Sequence, residues 1–221
     1  MKKSKKCLII ASALFILFSA FTVCVSVIDV RPAGYEGGAL GFSSLNLSFY
    51  ESAGSNAYFD KASDAFMIIA LIVAAVFAAI GAVQLIKRKS LFKVDTEILI
   101  TGALYILTVI FYALFEAAVI NNRPGAAEAS YPSSHTFITM TVLLAAAITA
   151  KRRIADKKIT AAISVICCLV SALAALCRLF SGEHWLTDVT GGVILSAALV
   201  MFFIWALALT DEKKEKTEKA K

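Results

Sequence analysis

Six long apolar runs, separated by charged or polar links, leave this chain few folds. They cover roughly residues 7–28, 65–86, 96–120, 136–150, 159–176 and 187–209, and each comes close to the ~20 apolar residues that a membrane-spanning helix needs. The fourth is the shortest. A hydrophobic share of 59% and a mean hydropathy of +0.79 are too apolar for an ordinary soluble domain. The expectation is an all-α protein, a six-helix transmembrane bundle forming one membrane-embedded domain over residues 1–221. Within it, 29–64 reads as an outer loop and 211–221 as a solvated, partly ordered tail.

The links alternate in charge. KKSKK precedes the first run, KRKSLFK follows the second, KRRIADKK follows the fourth and DEKKEKTEKAK follows the sixth. All but four of the 22 Lys and Arg lie there, the exceptions being Arg31, Lys61, Arg123 and Arg178. The positive-inside rule therefore places both termini in the cytoplasm and those four cations outside. The first run has a basic start, but its apolar part is longer than a secretory core and no A-x-A-like site follows, so it reads as a retained helix. The net charge of +6 belongs to helix flanks that meet anionic headgroups, which argues against nucleic acid as a partner. Five cysteines lie in or beside apolar runs without ligand-like spacing, and with two histidines in the chain a zinc site is not expected.

Three segments fall on the outer side: the loop 29–64, rich in glycine and aromatics, then NNRPGAAEASYPSS, then RLFSGEH. The aromatics of the first suit a lid at the membrane interface, with a plain tether as the alternative. The other two bring together chemistry. His184 and Asp188 are four residues apart, the spacing of one helix face, so the carboxylate can orient the imidazole and leave one nitrogen nucleophilic. In YPSSHTF, Pro132 followed by Ser133 or Ser134 reads as a helix start with a serine N-cap, whose free N–H groups attract an anion. His135 falls in that first turn. Arg123 and Arg178 add forked donors that match phosphate oxygens. Each residue also has a plainer reading: Arg178 snorkelling, Arg123 ending a helix before Pro124, Asp188 paired with Arg178. Taken together on one predicted face, they point to phosphoryl transfer.

The fragments R-P at 123–124, P-S-S-H at 132–135 and C-R-x5-H-x3-D at 177–188 resemble the three-part signature of the type-2 phosphatidic acid phosphatase superfamily, over roughly residues 116–192. The resemblance implies that His184 attacks phosphorus to form a phosphohistidine, with Asp188 positioning it. His135 would protonate the leaving oxygen, and Arg123, Arg178 and backbone N–H groups near Ser133 and Ser134 would hold the phosphoryl oxygens. It implies no metal and no cofactor. Three positions depart from the pattern: Ser134 and Cys177 stand where the family carries glycine and serine, and Glu116 stands where it carries lysine. The function expected is an integral-membrane phosphatase of the plasma membrane. Its substrate would be a lipid-linked phosphate or diphosphate of the undecaprenyl diphosphate, phosphatidic acid or phosphatidylglycerol phosphate type, cleaved on the extracytoplasmic face among membrane lipids. The alternatives are a lipid phosphotransferase, or a non-catalytic lipid-binding or transport protein on the same fold, for which Glu116 is the main support.

Overall fold

The computed structural model describes residues 2–219; residues 1, 220 and 221 of the expected single domain lie outside the described residues. All six expected spans are helices: α1 (Lys3–Val27), α3 (Ala57–Arg88), α4 (Thr96–Ala118), α5 (Ser134–Arg153), α6 (Lys157–Ser181) and α7 (Leu186–Lys219). A shorter helix, α2 (Ser43–Ala53), lies between α1 and α3. A small antiparallel ribbon, β1 (Asn122–Arg123) with β2 (Ala126–Ala129), lies between α4 and α5.

The bundle is inside out relative to a soluble protein. Ile16, Ile72, Ile86, Ile106, Val109 and Ile166 are each well over half exposed, as lipid-facing surface should be. The interior belongs to α5 and α7. In α5 the buried positions are largely small or hydroxylated, Thr136, Thr139, Thr141, Ala145, Ala146, Ala147 and Thr149, the residue types that let membrane helices approach closely. This explains why the fourth run is the shortest apolar stretch of the six. A helix that faces protein on most sides has no need of a lipid-facing coat, so polarity enters its sequence.

Helix α7 also closely approaches the turn that leads into α5. A Cβ on Gly191 would stand 2.6 Å from the ring of Tyr131. That ring is buried, stacks on Phe18 and shares a 2.8 Å hydrogen bond with Thr22. The aromatic cluster of Phe18, Phe115, Phe137 and Tyr131 then carries the core down between α1, α4, α5 and α7.

At the far end, both termini lie together. Ser4 donates through its N–H and its hydroxyl to the Glu212 carboxylate at 2.9 and 2.7 Å, a side-chain cap from α7 on the first turn of α1. Arg152 binds Asp211 through both terminal nitrogens. The tail expected to be partly ordered from residue 211 is instead a continuation of α7 as far as Lys219, because these contacts extend the helix past the membrane. Asp95 ties α3, α4 and α5 at the same end through Arg88, Gln84 and Arg153. Hydrogen bonding to Arg153 and then Arg88 holds its carboxyl down at about 2.

The outer loop differs from expectation. Only part of 29–64 is loop, since α2 occupies its middle and α3 begins at Ala57. Helix α3 has 32 residues, about 48 Å at ~1.5 Å per residue, against a hydrocarbon core of about 30 Å. Its charged first turns therefore project beyond the apolar layer and become a wall of the site.

Candidate active site

The loop Gly182–Trp185 joins α6 to α7 and places the nucleophile candidate. Gly182 ends α6 in the left-handed region, φ +79, and a Cβ there would meet Ser55 at 2.6 Å. Ser55 also donates to the Ser181 carbonyl at 3.1 Å, so the α2–α3 connection rests directly on this turn. His184 follows, 3% exposed. It stands just before α7 rather than on it, so the single helix face expected for His184 and Asp188 is not what brings them together.

Asp188 has a second task at the start of α7. Its carboxylate accepts from the Trp185 N–H at 2.9 Å and from the Asn121 amide at 3.1 Å, while His184 Nδ1 lies 3.8 Å from Oδ2. That is an ion-pair distance, beyond hydrogen-bond reach. The carboxylate is thus fixed by two donors and presents its charge to an imidazole beside it. Burial pushes the His184 imidazole below its ordinary value, and the charges of Arg178 and Arg123 push the same way, against Asp188. Neither ring nitrogen of His184 has a hydrogen-bond partner among the described residues. Such a buried polar group is costly unless a ligand engages it.

Arg178, on the last turns of α6, is 1% exposed, which excludes snorkelling. It does not pair with Asp188. Its guanidinium donates to Asp60 at 2.5 Å and to the Ser63 hydroxyl at 3.1 Å, both on α3, and its Nε is buried without a partner among the described residues. Arg123 lies on β1, five residues after α4 ends, so it does not terminate that helix. It makes 3.4 Å ion pairs with Glu128 and Glu183.

The serine turn starts α5 as expected, with Ser133 at the N-cap position. Its side chain does not cap the helix. The Ser133 hydroxyl accepts from Thr136 at 3.0 Å, and its N–H donates to the Asp188 carbonyl at 2.9 Å, so Ser133 locks α5 to α7. The N–H groups of Ser134, His135 and Thr136 precede the first acceptor an α-helix can offer them. His135 bonds through Nε2 to Asp64 at 2.9 Å, and it lies within electrostatic range of Arg178 and His184. The structure therefore gathers Arg123, His135, Arg178, His184 and Asp188 around one end of the bundle.

Glu116 stands apart. It is exposed near the end of α4, in a shallow cleft with Ser130, Tyr131, Pro132 and Ser134, and makes no hydrogen bond or ion pair among the described residues. Arg123 is off the helix, so no shared face connects the two.

Several site residues escaped sequence reasoning. Asp60, Ser63 and Asp64 start a span, where a carboxylate four residues from another was the available signal. Asn121 holds both Asp188 and the Gly41 N–H, and Trp185 donates to the Asn122 carbonyl at 2.7 Å. Over them lies α2: Asn46 binds Thr187 through side chain and backbone, and Tyr50 packs on Trp185 with ring centroids 5.6 Å apart. The aromatic-rich segment is a cover packed on the site, and not a free tether. Among the described residues, no group of three His, Cys, Asp or Glu is arranged to hold a metal ion.

Residues 107–211 match the family model of the PAP2 superfamily. That segment contains every residue expected at the site, from Glu116 to Asp188. Over nearly the whole chain the fold is similar to that in the "Crystal structure of the first transmembrane PAP2 type phosphatidylglycerolphosphate phosphatase from Bacillus subtilis". The TM-score is 0.65 at 17% identity, over 92% of this chain and 96% of that one. At that identity the likeness establishes a shared multi-pass membrane fold. No curated protein matches the chain.

Proposed function

We propose that the chain is an integral-membrane phosphatase acting on a lipid-linked phosphate or diphosphate through a phosphohistidine on His184. One observation carries this reading: a buried imidazole, with neither nitrogen engaged among the described residues, lies 3.8 Å from one fixed carboxylate and within electrostatic range of two arginines. Burial keeps the ring neutral and hence nucleophilic. Asp188 stabilises the cation that develops as Nε2, the nitrogen away from it, bonds to phosphorus.

Arg123 and Arg178 bind the phosphoryl oxygens, joined by first-turn N–H groups at Ser134 and its neighbours. His135 protonates the leaving oxygen and then accepts a proton from the water that cleaves the phosphohistidine. The reaction draws on protein groups alone. The site lies outside the cytoplasm, at the plasma membrane, and both termini lie inside. Substrates of the undecaprenyl diphosphate, phosphatidic acid or phosphatidylglycerol phosphate type fit a site at the edge of a lipid-facing bundle.

A non-catalytic lipid-binding reading has its own observation. Glu116 occupies the lysine position, and Asp60, Glu128 and Glu183 hold the two arginines. Phosphate release by the detergent-solubilised protein, measured across a panel of these lipids, separates the two. The phosphatase reading expects release from the wild type and a loss of at least about a thousand-fold in His184→Ala. Release only in the presence of an acceptor hydroxyl would mark a transferase. A wild type inert on the whole panel would leave the non-catalytic reading standing.

A further inference from the structure

Each of the two histidines faces one carboxylate. His184 faces Asp188, within the segment that matches the family model. His135 faces Asp64, which lies outside it, on the second turn of α3.

We propose that Asp64 is the positioning residue for His135: it accepts the Nε2 proton and so leaves Nδ1 as the nitrogen that delivers a proton to the leaving oxygen. This rests on the phosphatase reading. An ionised carboxylate can only accept, so a neutral imidazole bonded to it must carry its single proton on Nε2. His135 Nδ1 is buried and has no partner among the described residues. The ring's orientation is therefore set by the 2.9 Å bond at its other nitrogen.

A lone pair of this kind at a protein rim contributes little, because the carboxylate can swing away, and Asp64 is half exposed. Here its backbone is anchored one turn earlier. Asp60 and Ser63 hold Arg178, whose side chain is 2% exposed, and Asp60 and Asp64 share a helix face. The second turn of α3 is thus pinned to α6 while it reaches α5.

The proton inventory closes. As the His184 nitrogen bonds to phosphorus and the phosphorus–oxygen bond breaks, the leaving oxygen takes the Nδ1 proton of the His135 imidazolium. The ring stays protonated at Nε2 against Asp64. In the second half, Nδ1 takes a proton from the attacking water, phosphate leaves His184, and the imidazolium is restored. Asp64 remains ionised throughout.

The test is Asp64→Ala, assayed on an alkyl lipid phosphate and on 4-nitrophenyl phosphate, whose leaving group needs no protonation. The alkyl rate is expected to fall at least about tenfold further than the aryl rate, within the range of general-acid effects. Equal losses, or none, overturn the proposal. A second readout does not require turnover: ¹⁵N-imidazole NMR of His184→Ala, in which His135 is the remaining histidine. At a pH where the ring is neutral, the Nε2–H tautomer is expected with Asp64 present and its preference is lost in the double variant. A dominant Nδ1–H tautomer with Asp64 present also overturns the proposal. If the wild type hydrolyses no phosphate while the tautomer depends on Asp64, the phosphatase reading falls and the positioning role stands.

Discussion

His184 shows how one residue's environment sets its chemistry. Its imidazole is enclosed and flanked by the charges of Arg178 and Arg123, so its folded-state value lies below the ordinary ~6.5 of a histidine. The neutral form therefore persists into weakly acidic solution. The acid limb of kcat/KM is expected below pH 6.5, and a limb above that value would contradict a buried nucleophile. The sign for stability is the same. Between the folded and unfolded values the unfolded chain binds the extra proton, so this contribution is present above ~6.5 and lost as pH falls through the folded value. The histidines, arginines and aspartate that the structure gathers at one end were legible as candidates because such residues are conspicuous in the links of an apolar chain. Asn121 and Trp185 were not. They act by holding a carboxylate or a carbonyl, and nothing in their spacing distinguishes them from neighbouring loop residues.

At the scale of elements, the spans were legible in outline because length and apolarity suffice to make a membrane helix. Their packing order was not. Gly191 is the clearest case: in sequence it sits in a GG pair inside an apolar run, and in space it lets α7 meet the Tyr131 ring. Gly191→Ala is expected to destabilise the protein by about 1–3 kcal/mol, as overpacking of a filled core does. Gly102 on α4 has nothing within 4 Å of where a Cβ would sit, so Gly102→Ala should cost nothing and gain helix propensity. Thermal unfolding of the two variants in one detergent makes the comparison. Equal behaviour would show that the contact between α7 and the Tyr131 ring is looser than this geometry. The length of α3 belongs here too, since the extra turns beyond its apolar part are what deliver Asp60 and Asp64 to the site.

For the whole molecule, the positions of Ser4 and Glu212 put both ends of the chain at one side of the bundle, with the site at the other. The distribution of Lys and Arg predicts that the end carrying the termini faces the cytoplasm. Cysteine placed at the exposed position 127 is expected to react with a membrane-impermeant maleimide in intact cells, and cysteine at the exposed position 158 only after lysis. The reverse pattern would invert the protein and put the site on the cytoplasmic face.

By itself, the sequence determined the number of spans, their alternating charged links and the two loops in which histidine and arginine meet. These are properties of composition and order along the chain, readable wherever lipid is the solvent. Only the tertiary structure decided that α5 and α7 form the interior, that Asp188 is held by Trp185 and Asn121, and that α3 sends carboxylates to Arg178 and His135. Apart from Trp185, three residues before Asp188, the partners in those pairings lie dozens of positions apart. Whether Asp64 meets His135 depends on how far α3 extends past the membrane and how it rotates against α5 and α6, and that rotation is set by packing in three dimensions, which no local pattern encodes.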